Sequence, residues 1–424
     1  MTLKKIQDYL LMVFLFVLPW QTRYIWHYDE LNRKYWEYGT YSIYGTEILL
    51  WIIILVFFVR NFLKKEVWSA ILKKRNSFSL GFLLFLAGLV TSTVLSINFD
   101  LSYYYIFHVL EAIALLVVFI KDGGNHRFIF ALWFGAVVQG ILAAYQFLTQ
   151  HVFASKWLGM AAQESYNLGP SVIEFGDERW LRAYGSFGSP NSLGIYMAVL
   201  FVLGVILYLQ TQSGRAKILI SVGQVLVLSG LLLSFSRSAW LAALAGIFSL
   251  VVILFFKRRD FLRNVAKQMA FSLVVIIFWV VIFYPVFSAR FNMHNRLEST
   301  SVGERKDQYA GSVSFIKENP ITGVGPGAYT FALHEKFPNR ASWQYQPIHN
   351  IYLLAIVEMG LLGFFCILIF VSNIFRIAIK NNILYLPILA ALFAAGLFDH
   401  WLGSLFTGII FWWVILGVAS AKNS

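Results

Sequence analysis

The chain has 424 residues, of which 59% are hydrophobic and only 13% are charged, and its mean hydropathy is +0.68. This much apolar sequence excludes an ordinary soluble domain and indicates a helical membrane protein with several spans. The formal net charge of +13 would suggest nucleic acid in a soluble protein. In a membrane protein, anionic lipid explains it better, so we predict membrane lipid and no nucleic acid as a partner. Cys366 is the only cysteine, which excludes an internal disulfide and disfavours a cysteine-based metal site.

Twelve apolar segments follow one another along the chain, and we predict an all-α polytopic membrane protein with about twelve transmembrane helices in a single domain, residues 1–424. The first segment resembles a signal peptide, but no small-residue cleavage site follows it, so we interpret it as an uncleaved span. The eleventh is short, so the last two could instead form one re-entrant pair. The segments are residues 7–25, 43–60, 79–97, 102–120, 127–149, 192–210, 217–234, 238–256, 268–287, 349–371, 383–398 and 401–420.

The basic residues divide the connections into two sets. Two short loops, 60–75 and 257–267, are rich in Lys and Arg. A twelve-span topology places both loops and the smaller basic groups on the same side of the membrane. Short basic loops mark the cytoplasmic side, so both termini are predicted to be cytoplasmic. The opposite side receives residues 26–42, 150–191 and 288–348, the last being a large extracytoplasmic loop between spans nine and ten. The smaller basic groups are Lys4 and Lys5, Lys121 and Arg127, Arg215 and Lys217, Arg376 and Lys380, and Lys422.

Four charged or titratable residues fall on the predicted outer side: Arg182, Arg237, Arg305 and His349. His349 follows Pro347, which suits the first turn of a helix, so we expect His349 at the outer mouth of span ten. A histidine there can accept a proton near neutral pH or bind phosphate. An interfacial histidine satisfied by lipid headgroups or water is the alternative. His108 and His400 are interpreted as packing or hydrogen-bonding residues, and no His or carboxylate spacing predicts a metal site.

Arg237 lies in a hairpin of a few residues between spans seven and eight, where an ionised residue is a candidate functional group. Its planar fork suits phosphate, whereas snorkelling to headgroups is the alternative. Arg305 opens a predicted amphipathic helix through Ile316, ended by Asn319-Pro320. It could equally be a solvated surface residue. The Gly-Val-Gly-Pro-Gly turn at 323–327 lacks the following Gly-Lys-Ser/Thr of a P-loop.

The segment from Arg182 to Asn191 is predicted to be a shaped turn followed by a helix start. Arg182 could help to bind an anion there, and Asn191 could be only a helix cap. Arg23, Trp26, His27 and Tyr28 follow the first span on the outside, where they could contact a substrate. Their expected role is in the aromatic belt at the membrane interface.

Three stretches resemble the O-antigen ligase and O-antigen polymerase superfamily of bacterial membrane glycosyltransferases. They are Gly-Ser-Phe-Gly-Ser-Pro-Asn at 185–191, Ser-Arg-Ser-Ala-Trp at 236–240, and the run from Arg305 through NPITGVGPGAY to HNIYLLAIVEMGLLG, which ends at residue 363. The resemblance covers residues 180–370 by motif and the whole chain by hydropathy. It implies a twelve-span fold with a large external loop between spans nine and ten. Tyr309 departs from the pattern, since many members carry Trp there.

By this resemblance, Arg237 and Arg305 match two essential arginines that hold the pyrophosphate of a polyprenyl-linked glycan. His349 matches an essential histidine proposed to activate the acceptor hydroxyl. The other implied substrate-binding residues are Arg182, Asn191, Tyr329, Asn350 and Glu358. The donor implied is a glycan on undecaprenyl diphosphate, and the acceptor is lipid A core or another glycan. No metal or other cofactor is needed, because the donor is already activated.

The resemblance is compatible with several functions. A ligase would use lipid A core, a polymerase a second lipid-linked repeat, and a protein O-oligosaccharyltransferase serine or threonine. The single long loop and the external arginines favour a ligase. A transporter of lipid-linked glycans would need ionisable groups near the bilayer midplane, for which His108, Glu111 and Glu358 are candidates. A membrane scaffold would not explain Arg237. The resemblance implies the bacterial inner membrane with a site facing the periplasm, where a monomer could suffice.

Overall fold

The computed structural model describes residues 2–62, 77–123, 125–292 and 296–421. Within them the protein is mostly helical, with 72% of residues in helices. Most of the basic loop predicted at 60–75 lies outside the described residues, as do three residues of the predicted loop 288–348. The basic residues outside them are Lys64, Lys65, Lys73, Lys74, Arg75 and Lys422.

Each predicted apolar segment overlaps at least one helix. In chain order the helices are α1 (Leu3–Val17), α2 (Gly45–Phe62), α3 (Ser77–Val94), α4 (Phe99–Asp122), α5 (His126–Thr149), α6 (Pro190–Gln210), α7 (Gly214–Leu233), α8 (Arg237–Lys257), α9 (Leu262–Ile282), α10 (Tyr284–Phe291), α11 (Arg296–Glu318), α12 (Tyr329–Lys336), α13 (Ile351–Asn382), α14 (Leu386–Gly396), α15 (Trp401–Ser404) and α16 (Phe406–Ser420).

Seven helical stretches in the described ranges are long and apolar enough to cross a membrane. They include α4 to α8, the stretch Arg259–Ile282, and the stretch Ile351–Gly396, which joins α13 and α14. The shorter apolar helices Leu80–Val94 and Phe406–Ser420 fall below that length. The structure therefore supports a membrane protein with several spans, and the number twelve stays a prediction.

Three two-stranded antiparallel sheets depart from the all-α prediction. The largest pairs β1 (Arg23–Leu31) with β2 (Lys34–Tyr44), at the position predicted as the outer segment 26–42. Alternating aromatic and polar residues in these strands suit a two-sided hairpin, and this period of two was overlooked beside the stronger helical signals. The smaller pairs are β3 (His151–Val152) with β4 (Gln163–Glu164), and β5 (Val172–Phe175) with β6 (Glu178–Leu181).

The helix α6 is the centre of the core, because 94% of its apolar window is buried. Its start is defined locally: the Ser189 hydroxyl accepts the Ser192 N–H at 3.1 Å, and Pro190 occupies the first turn. A Cβ on Gly194 would come within 2.8 Å of Ser234 Oγ, so the α7–α8 connection lies against the first turns of α6. This contact positions the Arg237 hairpin. Asn191, considered above as a cap, is one position inside the helix.

A second, smaller hydrophobic cluster joins the β1–β2 hairpin to the segment before α13. It contains Trp36, Phe315, Tyr329, Tyr345 and Ile348, all nearly inaccessible to solvent. Burial of this cluster fixes the backbone on either side of His349. The predicted start of the tenth span was too early: α13 begins at Ile351, so Pro347 precedes the helix rather than lying in its first turn.

Two glycine-containing segments interlock beside this cluster. Gly360 has φ 64° and breaks α13, which leaves nearby backbone carbonyls without helical partners. The Val357 and Glu358 carbonyls accept N–H groups of Val324 and Gly325, both at 2.9 Å. The glycine turn at 323–327 is thus bound to the helix break by main-chain hydrogen bonds.

Candidate functional site

His349 is held by Gln308 through two hydrogen bonds to one oxygen. The backbone N–H of His349 donates to Gln308 Oε1 at 3.1 Å, and the ring Nδ1 lies 2.9 Å from the same atom. A backbone N–H can only donate, so its partner is the amide oxygen, and Nδ1 must therefore carry a hydrogen. Nε2 is then the unprotonated nitrogen of the neutral ring.

The backbone of His349 is fixed as well. The Tyr309 hydroxyl donates to the His349 carbonyl at 3.2 Å and lies 3.4 Å from the Leu397 carbonyl. Tyr309, where the sequence departs from the family pattern, therefore joins α11 to the segments before α13 and after α14. Arg305, Gln308 and Tyr309 belong to one helix, α11, which begins at Arg296. The predicted helix start at Arg305 was therefore about two turns too late.

The surroundings of His349 favour its neutral form. Burial lowers the pKa of His349 from 6.5 to about 3, and neighbouring His400 and Arg305 act in the same direction, whereas Asp399 opposes them. The two imidazole rings meet edge to face with centroids 4.9 Å apart. Burial also lowers the pKa of His400. At neutral pH both rings are uncharged, and His349 can accept a proton.

A cavity of about 520 Å³ lies against this histidine pair. His349, His400 and Asp399 form part of its wall, and residues of the 185–192 segment form another part. The β1–β2 hairpin contributes Arg23 and Glu37, which pair through two hydrogen bonds of 2.8 and 3.1 Å. The cavity is therefore lined by proton acceptors, a glycine–serine segment and a paired cation.

Two buried or half-buried arginines converge on the connection between α7 and α8. Arg182 Nε donates to the Ser234 carbonyl at 2.8 Å, and its Nη2 donates to Asn191 Oδ1 at 2.7 Å. Arg290 Nε donates to the Phe235 carbonyl at 2.8 Å, where the backbone has φ 47°. These bonds hold Phe235, the left-handed residue two positions before Arg237. Arg237 is half-buried at the start of α8.

The predicted site residues thus fall into separate groups. His349 and Arg305 belong to one group, because Arg305 lies one helical turn before Gln308, which binds His349, and acts electrostatically on both imidazoles. Arg182, Asn191 and the Arg237 hairpin form a second group at the starts of α6 and α8. The segment that carries Arg182 and Asn191 reaches the cavity through Gly185 to Ser189 and Ser192.

Three other predicted substrate-binding residues have structural partners. Asn350 caps α13 by accepting the N–H groups of Tyr352 and Leu353 at 3.0 and 3.1 Å. Tyr329 is 2% exposed and packs against Phe315. The Glu358 carboxylate accepts backbone N–H groups of Gly327 and Tyr329, which fastens the glycine turn. None of these three lines the cavity around His349.

One group among the described residues could offer three ligands to a metal ion. Glu47, His108 and Glu111 are buried, and their ligand atoms lie within 4.8 Å of one another. His108 Nδ1 is 3.1 Å from Glu111 Oε2, and Glu47 accepts the Tyr44 N–H. The sequence analysis names His108 and Glu111 as ionisable residues within spans, but not Glu47, which comes from α2. The group does not line the cavity of His349.

Gln308, Asp399 and the exact placement of His400 were missed. Gln308 is one helical turn after Arg305, a spacing that could have placed both on one face of α11. Asp399-His400 lies between the last two predicted spans, on the same side as His349. The expectation of a hydrogen-bonding role for His400 fits its Nδ1 contact with Ser404 Oγ at 2.6 Å, but its position against His349 required the fold.

Comparison with known families identifies the segment that contains most of these residues. Residues 222–368 match the model of the O-antigen ligase family. The match supports the predicted O-antigen ligase and polymerase superfamily, and it includes Arg237, Arg305, Gln308 and His349. No curated protein matches the chain.

Members of this family are glycosyltransferase-like membrane enzymes that use, in general terms, a lipid-linked glycan and an acceptor, and the match supports this class for the chain. The matched segment begins after Arg182 and ends before His400. The cavity residues from 185–192 and from 399–400 therefore lie outside it.

Proposed function

We propose that the protein transfers a glycan from undecaprenyl diphosphate to a hydroxyl group of lipid A core. The reaction takes place at the periplasmic face of the bacterial inner membrane and inverts the anomeric centre. The match of residues 222–368 to the O-antigen ligase family supports the reaction class. The observation that carries the proposal is His349, held by Gln308 with its Nε2 as a proton acceptor beside a cavity of about 520 Å³.

The proposed step is a single displacement. The acceptor oxygen forms a bond to the anomeric carbon, and the bond from that carbon to the diphosphate oxygen breaks. The electron pair of the broken bond leaves with undecaprenyl diphosphate, and the hydroxyl proton passes to His349 Nε2. A neutral imidazole suits this task, because a protonated one could not accept the proton.

Arginines supply the other part of the proposed chemistry. Arg305 and Arg237 would bind the diphosphate and stabilise the charge that develops on it as the bond breaks. Arg182 would contribute by fixing the Ser234 carbonyl and, with it, the hairpin of Arg237. A donor that already carries a good leaving group does not require a metal in this scheme.

The acceptor distinguishes the ligase from the polymerase alternative. We would incubate the purified protein in detergent with a polyprenyl-diphosphate oligosaccharide and EDTA, and offer lipid A core and a second lipid-linked repeat separately. The proposal predicts a product on lipid A core. Product only as lengthened lipid-linked glycan would make the protein a polymerase, and no product with either would contradict both.

The His349→Ala variant tests the base in the same assay. Loss of a positioned base typically lowers the rate by about 10²–10⁴-fold, and we expect a loss in this range with unchanged thermal stability. His126→Ala is the matched control, because His126 is exposed at the start of α5. Normal transfer by His349→Ala would eliminate the proposed role of the histidine.

A further inference from the structure

A second large cleft lies on the other side of the β1–β2 hairpin. Its volume is about 590 Å³, and β1 and β2 line it together with the starts of α2 and α4. Tyr38 of β2 borders the His349 cavity, whereas Tyr41 borders this cleft. They are three positions apart in β2, where the register of the hairpin shifts between the Tyr28–Thr40 and Glu30–Tyr35 pairs, and their side chains border different spaces. The hairpin is thus a shared wall between the two spaces.

Aromatic rings form a continuous side of this cleft. The centroids of Trp26 and Tyr41 are 5.4 Å apart, and those of Tyr41 and Tyr104 are 5.0 Å apart. Trp26 and Tyr103 are 55% and 60% exposed, so their rings are available to a ligand. Exposed aromatic faces beside hydrogen-bonding groups suit a ligand with both apolar C–H faces and polar edges.

The charge of the cleft restricts that ligand further. Asp29 and Asp100 line it, with the His27 ring 3.1 Å from Asp29 Oδ1, and among the described lining residues there is no Lys or Arg. Both Asp29 and Asp100 act on the Tyr41 hydroxyl, which places their carboxylates near the aromatic wall. Carboxylates accept hydroxyl and ammonium hydrogens and repel phosphate. A belt that binds anionic headgroups would instead combine aromatic residues with Lys or Arg.

We propose that this cleft, bounded by Trp26, Tyr41, Tyr103 and the Asp29 and Asp100 carboxylates, is a second glycan subsite that binds an uncharged or amino-sugar chain. This inference rests on the proposed function, because the bound chain would be the part of a substrate that extends beyond the reaction cavity. The cleft binds sugar rings by stacking and hydroxyl recognition, whereas Arg305 and Arg237 bind the diphosphate.

Saturation-transfer NMR on the purified protein tests the subsite without requiring transfer. The probes are maltohexaose, chitohexaose and a glucosamine hexamer, with hexagalacturonate as the acidic counterpart. We expect at least one of the first three to receive saturation, and hexagalacturonate to receive none. Glycerophosphoglycerol represents a lipid headgroup, and preferential binding of it would overturn the proposal in favour of an interfacial belt.

Two variants locate the binding. Trp26→Ala and Tyr103→Ala should each weaken saccharide binding by at least about fivefold, since each removes one stacking face. Trp26→Phe should retain most of it. Trp157→Ala is the matched control, because Trp157 is 77% exposed and lies in another external segment. Binding unaffected by Trp26→Ala and Tyr103→Ala, or absent for all three saccharides, would overturn the subsite.

The two proposals fail in different ways. His349→Ala should bind saccharide normally while losing transfer. Transfer without saccharide binding in this cleft would remove the subsite and leave the transferase intact. Saccharide binding that depends on Trp26, in a protein without transfer activity, would leave the subsite and remove the proposed reaction.

Discussion

Gln308 determines which nitrogen of His349 can take a proton. Its amide oxygen binds both the backbone N–H and Nδ1 of that histidine, so ring rotation and the exchange of tautomers are both opposed. Gln308 is a positioning residue, because it acts through the histidine. In the proposed reaction we therefore expect its side chain to affect the rate more than the binding of substrates.

Replacing Gln308 tests this arrangement. In Gln308→Leu the oxygen is lost, and we expect kcat to fall by roughly 10–100-fold with little change in KM, as for other residues that orient a functional imidazole. Steady-state kinetics with lipid A core measures the effect. A change in KM alone would show that Gln308 serves substrate binding instead.

The pH dependence follows from the pKa of His349. The proposed transfer requires the neutral ring, and because burial lowers the pKa of His349 to about 3, kcat/KM should stay level as pH falls through 6.5. Gln308→Glu retains the acceptor and adds a negative charge that stabilises the imidazolium. The pH below which kcat/KM falls should then rise by about 1–3 units. A wild-type limb near 6.5, or no shift in Gln308→Glu, would contradict this account.

At the scale of elements, the break in α13 holds the glycine turn. The turn leads into α12, whose first residue, Tyr329, packs against Phe315, and the break supplies the carbonyls that bind the turn. Gly360 cannot be replaced easily, because its φ is 64° and an added Cβ would lie 2.1 Å from the Ile321 carbonyl oxygen.

Gly360→Ala should therefore destabilise the protein. A left-handed conformation without glycine costs about 1–3 kcal/mol, and the contact with Ile321 adds to it. We expect a lower Tm by differential scanning fluorimetry in detergent. Gly311→Ala is the matched control, because Gly311 lies within α11 with open space around it, and alanine there should be neutral or stabilising. Equal Tm values for both variants would exclude the proposed strain.

The same elements show what a sequence can and cannot predict about the site. The glycine turn, Asn319-Pro320 and Ser189-Pro190 are local signals, and the predicted turn and helix boundaries at these positions agree with the structure. The pairing of Gln308 with His349 joins positions 41 residues apart. The contact of His349 with His400 likewise depends on how helices pack, and no local pattern encodes it.

At the scale of the whole molecule, helix positions were predictable because each apolar stretch contains its own signal. The β1–β2 hairpin was not predicted, since its rows of aromatic residues resemble membrane-interface sequence. The side of the membrane on which each loop lies rests on charge alone. Residues 157 and 258 are separated by three apolar helices, α6, α7 and α8, so the prediction places them on opposite sides.

Single-cysteine labelling tests this topology. In a Cys366→Ala background, Trp157→Cys should react with a membrane-impermeant maleimide in intact spheroplasts, whereas Arg258→Cys should react only after permeabilisation. Both positions are exposed, so failure to react reports on sidedness rather than on burial. Labelling of both residues from outside would contradict the assignment of loop 257–267 to the cytoplasm.

The tip of the β1–β2 hairpin links distant parts of the chain. The Asn32 amide donates to the Pro338 and Arg340 carbonyls at 2.9 and 2.7 Å, and Lys34 lies over the Trp343 ring. About 300 residues of sequence separate these partners. A chimera of two homologues that exchanges only the amino-terminal part, or only the segment before α13, would combine the hairpin tip of one protein with the contacting segment of the other. We expect functional exchange of acceptor specificity between homologues to require both parts together.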